Sequence, residues 1–351
     1  MKPSQFTRIA AAVTVSACAL SAAPAYATSF TNLVVFGDSL SDPGNASALS
    51  FGAFPGTPNG RVSNGPVAAE YLAASFGATT IKGWSLPVGD PAPAGANNFA
   101  VVGGRTIGTG NYRVQLNDPP GLGTAFPALV ETGVSKQIER YNPAGFNRDT
   151  TVHLLWSAPN DFYAGIDVQI KLGIPVDFTA LAEDVVLSLG DHIGSLVAKG
   201  AKHILVPNMP DLGLTPEALA LGPSFSGLAT ALTNGFNAGL DNLLGQAGAQ
   251  LAPLGVRLYD FDTAGLFRDV AANPGAFGFT NVTEQCVLSA AALASNCAGY
   301  FFFNNVHPTT FAHETLAEGF LAAVPEPETY ALFALGLVAV GWAARRRKPV
   351  V

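Results

Sequence analysis

Leu33-Val34-Val35-Phe36-Gly37-Asp38-Ser39-Leu40-Ser41-Asp42-Pro43-Gly44-Asn45 is the stretch on which the fold turns. Its first four residues are apolar and β-branched-rich, too short for a helix and suited to a buried strand. A turn follows that carries a glycine and two carboxylates, with a serine where the strand ends. A hydroxyl held there, at the end of a buried strand, is a site for an exposed and activated nucleophile.

Further short apolar runs occur at 99–102, 151–156, 203–207 and 256–261. Helical patterns fill the intervals at 66–76, 132–141, 178–199 and 225–247, with a last one at 309–323. Strands separated by helices predict an α/β fold, a three-layer α/β/α sandwich around a central parallel sheet. In such sheets the working groups gather in the loops beyond the carboxyl ends of the strands. No repeat of 20–50 residues is visible, so one domain is expected. The Gly/Pro-rich stretches 51–65 and 87–97 read as surface loops bordering the cleft.

Both ends carry addresses. Residues 1–27 have a basic start (Lys2, Arg8), a short apolar core and the small residues Ala25-Tyr26-Ala27, the pattern of a secretory signal peptide. The main domain is therefore expected over 28–324. Val324-Pro325-Glu326-Pro327-Glu328 precedes the apolar stretch 330–344 and then Arg345-Arg346-Arg347-Lys348. A bilayer needs roughly 20 apolar residues, so this stretch is marginal as a span. The order of Pro-Glu-Pro, apolar helix and arginine cluster resembles the PEP-CTERM sorting signal of Gram-negative bacteria. The resemblance implies recognition of 325–351 by an exosortase-type enzyme, transient membrane contact through the tail, and delivery to the cell envelope, cell surface or beyond. A plain C-terminal anchor is the alternative.

Without the two basic residues of the leader, and the four basic and two acidic residues of the tail, the span 28–324 holds 12 basic and 23 acidic residues. It has no basic patch, which argues against nucleic acid as a partner. Of three cysteines, Cys18 leaves with the leader. Cys286 and Cys297 remain in an oxidising compartment and are expected to pair as a disulfide. No His or Cys pair completes a tetrahedral set with them, so a metal site is the poorer reading.

The block 36–45 resembles the first motif of the GDSL, or SGNH, hydrolases, in which Ser39 would be the nucleophile. Three later blocks extend the resemblance over nearly all of 31–323. Asn98-Phe99-Ala100-Val101-Val102-Gly103-Gly104 is similar to the second motif, which lends a glycine N–H to the oxyanion hole. The count places that glycine at Gly103; Val102 stands where a glycine is common, and Gly104 is the alternative. Ser157-Ala158-Pro159-Asn160-Asp161 is similar to the Gly-x-Asn-Asp motif, with Ala158 at the glycine position and Asn160 as a second oxyanion donor. Asn304-Asn305-Val306-His307-Pro308 is similar to Asp-x-x-His-Pro, which makes His307 the general base. His153 and His203, inside predicted strands, read as core histidines. Cys286 to Cys297, just before the histidine block, is like the secreted esterase and phospholipase branch.

One position departs sharply. The motif's aspartate is Asn304 here, and an amide brings no charge to an imidazolium. The resemblance implies a serine ester hydrolase working through an acyl-serine, with Ser39, His307 and Asn304 as the catalytic set and no cofactor. Ser39, Gly103 and Asn160 would hold the oxyanion. Its substrate would be a lipid, a small ester or an acetylated polysaccharide. Asn304 and the sorting tail also motivate a rival, a non-catalytic or attenuated surface or matrix protein on the same fold. Asp38 reads as a structural acceptor, and Asp260 and Asp262 as strand-end or helix-capping acids. Phe51, Phe54 and Phe301 to Phe303 would be the rim of a long-chain site unless they belong to the core.

Overall fold

A computed structural model describes residues 30–324 except Pro58 and 86–94. The expected leader and tail, and most of the 87–97 loop, lie outside the described residues. The larger elements run β1 (Asn32–Gly37), α1 (Ala68–Ser75), β2 (Thr80–Lys82), β3 (Ala96–Asn98), α2 (Val134–Arg140), β4 (Thr151–Trp156), α3 (Pro159–Leu172) and α4 (Phe178–Ala198). They continue with β5 (His203–Pro207), α5 (Pro216–Ala220), α6 (Pro223–Leu251), β6 (Arg257–Phe261), α7 (Thr263–Ala272), β7 (Asn281–Gln285), β8 (Tyr300–Phe302) and α8 (Thr310–Ala323).

Six strands form one sheet in the order β2-β3-β1-β4-β5-β6, every neighbouring pair parallel. Successive side chains of a strand point to opposite faces, and here each face meets a helical layer. Leu33 and Val35 of β1, with Val152, Leu154 and Trp156 of β4, join a core that includes Leu72 of α1 and Leu316 and Phe320 of α8. Val34 and Phe36, with Leu155 and Ile204, join a second core containing Ile138 of α2, Leu189 of α4 and Phe236 and Leu240 of α6. Buried on both sides, these strands read as continuous apolar runs. Truncating a side chain such as Phe36, wholly buried in the second core, to alanine is expected to cost about 3–5 kcal/mol. The result is the three-layer α/β/α sandwich.

The strand expected at 99–102 lies earlier, as β3. Asn98 ends it because the side chain of Asn45 donates to the carbonyls of Asn98 and Ala100, both at 2.8 Å, and so takes over acceptors a ladder would need. Residues 99–102 stay buried but run as a turn-bound segment beside β1. The chain passes from β1 to β2 and back to β3 on one side of β1, then crosses to β4 on its other side, so the sheet's switch point falls at β1. A crevice opens there beyond the carboxyl ends of the strands.

Candidate active site

Ser39 sits two residues beyond the end of β1, and the backbone before it is fixed by close approach. A Cβ on Gly37 would lie 2.2 Å from the carbonyl oxygen of Trp156, so only glycine lets β1 and β4 run this close ahead of the turn. The Gln137 amide brackets the same residue, accepting from Gly37 N–H at 2.8 Å and donating to Gly37 O at 2.7 Å. Asp38 Oδ1 accepts the Leu40 N–H at 3.0 Å and closes the turn around the serine. Asp42 accepts backbone N–H groups from Gly44, Asn45 and Ala46, and its Oδ2 reaches across to the Val102 N–H at 2.9 Å. One carboxylate thus ties the serine turn to the glycine turn after β3.

On the far side, His307 Nε2 lies 2.7 Å from Ser39 Oγ. Its Nδ1 lies 2.9 Å from Asn304 Oδ1. That oxygen also accepts the backbone N–H groups of Val306 at 3.1 Å and His307 at 2.9 Å. Two fixed donors require the carbonyl end of the amide to face them, so the orientation of Asn304 is not free. An acceptor opposite Nδ1 places the proton there and leaves the Nε2 lone pair toward the serine. Phe303 N–H closes the loop onto His307 O at 2.8 Å. Behind it Phe303 packs on Cys286, Cys297 and Ala292. Cys286 and Cys297 form a disulfide across a separation of 11 residues.

Ser39, Gly103 and Asn160 line one cavity. Gly103 lines it with φ +82°, and a Cβ there would meet Asn111 Oδ1 at 2.4 Å. The neighbouring Gly104 N–H is spent on Val101 O at 2.9 Å. Asn160, at the start of α3, donates one amide hydrogen to Gly104 O at 3.0 Å and lines the same cavity. Asp161 beside it accepts Thr106 N–H at 2.8 Å and Arg105 Nε at 3.0 Å, bracing the helix start against the glycine turn.

The cavity measures about 400 Å³ and is walled by Ile166, Ile170, Leu212, Phe225 and Leu232 among others, with Arg113, Asp167 and Glu217 as its charged lining beside Asp38. Loss of water, and then the nearby Arg113 guanidinium, hold the His307 imidazole down to about 3. It is therefore a neutral acceptor at any ordinary pH. Burial pushes the Asp38 carboxyl up to about 7, with Asp161 and Asp42 adding repulsion, and its Oδ2 has no hydrogen-bond partner. Ser39 Oγ therefore faces an uncharged imidazole at the wall of this cavity.

Residues 33–320 match the GDSL-like Lipase/Acylhydrolase family. The chain belongs to this family. Residues 323–348 match the PEP-CTERM protein-sorting motif. Among curated proteins, the GDSL-family chain is 27% identical to a phosphatidylcholine-sterol acyltransferase of Aeromonas hydrophila, over 82% of this chain and 88% of that one. A GDSL esterase/lipase of Arabidopsis thaliana is 24% identical over 83% and 88%. Esterase EstA of Pseudomonas aeruginosa is 29% identical over 89% of this chain and half of its own length.

Measured against the GDSL motifs, the residues singled out in the sequence fall as follows. Ser39, His307 and Asn304 form one hydrogen-bonded chain, and Gly103 and Asn160 face the same cavity. His153 is buried in β4 and His203 lies in β5, away from the cavity. Asp262 accepts Gly265 N–H as the cap of α7, and with Asp260 it borders a separate cleft near α6. Phe301 and Phe302 are core, and Phe54 lines the cavity. What sequence reasoning missed is the bracing: Asn45, Asn98, Asp42 and Gln137 are wholly buried polar groups whose bonds hold the two turns together. No pattern announces a buried amide, although the Asn45 and Asn98 positions inside the family blocks were the available signal.

Proposed function

We propose that this protein is an exported serine ester hydrolase acting through an acyl-serine. The carrying observation is the relay Asn304 Oδ1, His307, Ser39 Oγ, with contacts of 2.9 and 2.7 Å at the wall of an apolar cavity. Ser39 Oγ attacks the acyl carbon while His307 Nε2 takes its proton. The N–H groups of Ser39, Gly103 and Asn160 receive the oxyanion, and His307 returns the proton to the leaving alcohol. Water then repeats the sequence on the acyl-serine. The relatives named as esterases, lipases and an acyltransferase support ester chemistry in this chain as well.

The sorting motif supports the division into a leader (1–27), a hydrolase domain (28–324) and a tail (325–351) handled by an exosortase-type enzyme, with the domain working outside the cytoplasm. Among the described residues no helix is long and apolar enough to cross a membrane. Asn304 supports a second reading, an attenuated or non-catalytic surface protein, and acetylated polysaccharide is the alternative substrate to lipid. Hydrolysis of p-nitrophenyl acetate, butyrate and palmitate, with Ser39→Ala alongside, tests the proposal. Activity abolished by Ser39→Ala is the expected result. A parent as silent as Ser39→Ala on these and on acetylated polysaccharide would overturn it.

A further inference from the structure

The glycine turn that lines the Ser39 cavity is stitched to a short helical turn, Tyr112–Gln115. Asn111 Nδ2 donates to Val102 O at 2.8 Å, and the Tyr112 N–H donates to Gly103 O at 2.6 Å. Asn111 Oδ1 then accepts the Arg113 N–H at 3.0 Å. Arg113 therefore leaves a backbone that is bonded to the Gly103 turn just ahead of it. Its stem lies against that glycine: a Cβ on Gly103 would come within 3.0 Å of Arg113 Cγ. Arg113 also lines the cavity that holds Ser39, Asn160 and His307.

The guanidinium is held at one end. Nη2 pairs with Asp118 at 2.9 Å, and that half-buried carboxylate does not line the cavity. Nε is buried and has no hydrogen-bond partner among the described residues. A buried N–H left unpaired costs free energy. The charge is also poorly placed for the base. Burial holds the His307 imidazole down and the Arg113 guanidinium lowers it further, so the cation opposes the imidazolium that proton transfer creates. Asn304, an amide, brings no charge to offset it. A cation kept in such a place suits a site where negative charge develops at the same moment.

That charge is not a standing one on the substrate. Asp167 and Glu217 line the same cavity, and a permanently anionic group would meet both carboxylates throughout binding. On the proposed mechanism the acyl oxyanion exists only around the transition state, and Gly103, against which the Arg113 stem lies, receives it. We propose that Arg113 is a further oxyanion-stabilising residue, its Nε–H and charge meeting the acyl oxyanion as His307 takes the serine proton. The role rests on the ester-hydrolase reading and adds a cation to the N–H groups of Ser39, Gly103 and Asn160. It supports the negative half of the charge separation in a site where Asn304 leaves the positive half without a counter-charge.

The test uses the full chain with Arg113→Gln and Arg113→Lys. Glutamine keeps the Cβ and Cγ that pack on Gly103, and lysine keeps the charge. Turnover of p-nitrophenyl butyrate is read beside affinity for phenylboronic acid. There the serine oxygen adds to boron, its proton passes to His307, and the tetrahedral adduct is anionic. In Arg113→Gln the expected result is a kcat about 10- to 100-fold lower with KM nearly unchanged, and boronate binding weaker by a similar factor. Arg113→Lys should restore most of both. A cation acting on the imidazole alone would give the opposite sign, because its loss makes His307 the stronger base. Parental or higher kcat in Arg113→Gln, or a loss confined to KM, would therefore overturn the proposal. So would a loss that lysine does not restore, which would make the role structural. The hydrolase reading fails separately, by a parent as silent as Ser39→Ala on this ester. Boronate binding needs no turnover: a weaker complex in Arg113→Gln would still support the role, and equal affinity, or none in either protein, would overturn it.

Discussion

Asn304 holds His307 through a single oxygen: Oδ1 faces Nδ1 at 2.9 Å while it accepts two backbone N–H groups from the same loop. The motif's aspartate has two tasks, to fix the imidazole tautomer and to stabilise the imidazolium. The backbone donors let an amide perform the first, because its carbonyl end cannot turn away. The second is left undone. In a serine protease, exchanging the triad aspartate for asparagine costs about 10⁴ in turnover through the wrong tautomer. On the proposed mechanism the loss here should be confined to the charge.

Asn304→Asp is therefore expected to accelerate the enzyme. A hydrogen bond to a charged group contributes about 1.5–3 kcal/mol, which corresponds to roughly a 10- to 100-fold rise in kcat/KM. The pH profile should move with it. His307 must be neutral to act as base, and burial with Arg113 holds it down to about 3, so the parent's activity should persist well into acid. A carboxylate at 304 raises that value, and the acid limb of kcat/KM shifts to higher pH. Parallel pH–rate profiles on p-nitrophenyl butyrate check both effects. A variant with higher turnover and an unmoved acid limb would show that Asn304 does not act through the imidazole.

Asn160 and Gly103, two of the three oxyanion donors in the proposed mechanism, are expected to fail differently. Asn160→Ala removes an N–H but keeps the Gly104 turn, and losing one such donor typically costs about 10²–10³ in turnover. KM should hardly change, because the donor is wanted by the oxyanion more than by the ground-state carbonyl. Gly103→Ala keeps the N–H but forces a side chain onto φ +82° and against Asn111 Oδ1. It should lose stability as well as rate. Asn160→Ala with parental kcat would remove that residue from the oxyanion hole.

The larger part of this fold was legible because two-sided burial writes itself into sequence. The run at 33–36 is wholly apolar and those at 151–156 and 203–207 are mostly so, with Thr151, His153 and His203 the exceptions, and each is a central strand. The edge strand Thr80–Lys82 is short and half-buried, so it leaves no such mark. Helix α3 was hidden for another reason. Its first residues, Pro159 to Asp161, belong to the stretch that resembles the Gly-x-Asn-Asp motif, and Gly165 sits in its interior. Of the candidate site, the contact of Ser39 with His307 could be expected from local motifs, but not the setting of Asn304. Whether an amide can hold an imidazole depends on the backbone N–H groups around it, and those directions appear only once the 303–307 loop is closed.

Asp38 carries a stability prediction. In the folded protein burial keeps its proton on until about pH 7, whereas the unfolded chain releases it near 3.8. Between these values the folded state binds more protons, so stability from this group is lost as pH rises through the window. Asp38→Asn stays neutral throughout. The variant should gain about 1–3 kcal/mol relative to the parent at pH 8, and much less at pH 5. Urea denaturation at the two pH values isolates the group, since other titrations cancel between the proteins. A difference that stays the same at both would mean that Asp38 is ionised across the whole range.

The Cys286–Cys297 disulfide closes a short loop, and its removal by Cys286→Ser with Cys297→Ser should cost about 2–3 kcal/mol on loop entropy. Its position predicts more than lost stability. The pair packs on Phe303, whose N–H holds His307 O and whose carbonyl holds the Val287 N–H at 3.0 Å. Loosening that cluster should therefore lengthen the His307 to Ser39 contact. Turnover of p-nitrophenyl butyrate at a temperature where the variant stays folded should fall severalfold, with KM nearly constant. Stability lost with turnover intact would limit the disulfide to a staple and leave His307 positioned by Asn304 and the backbone alone.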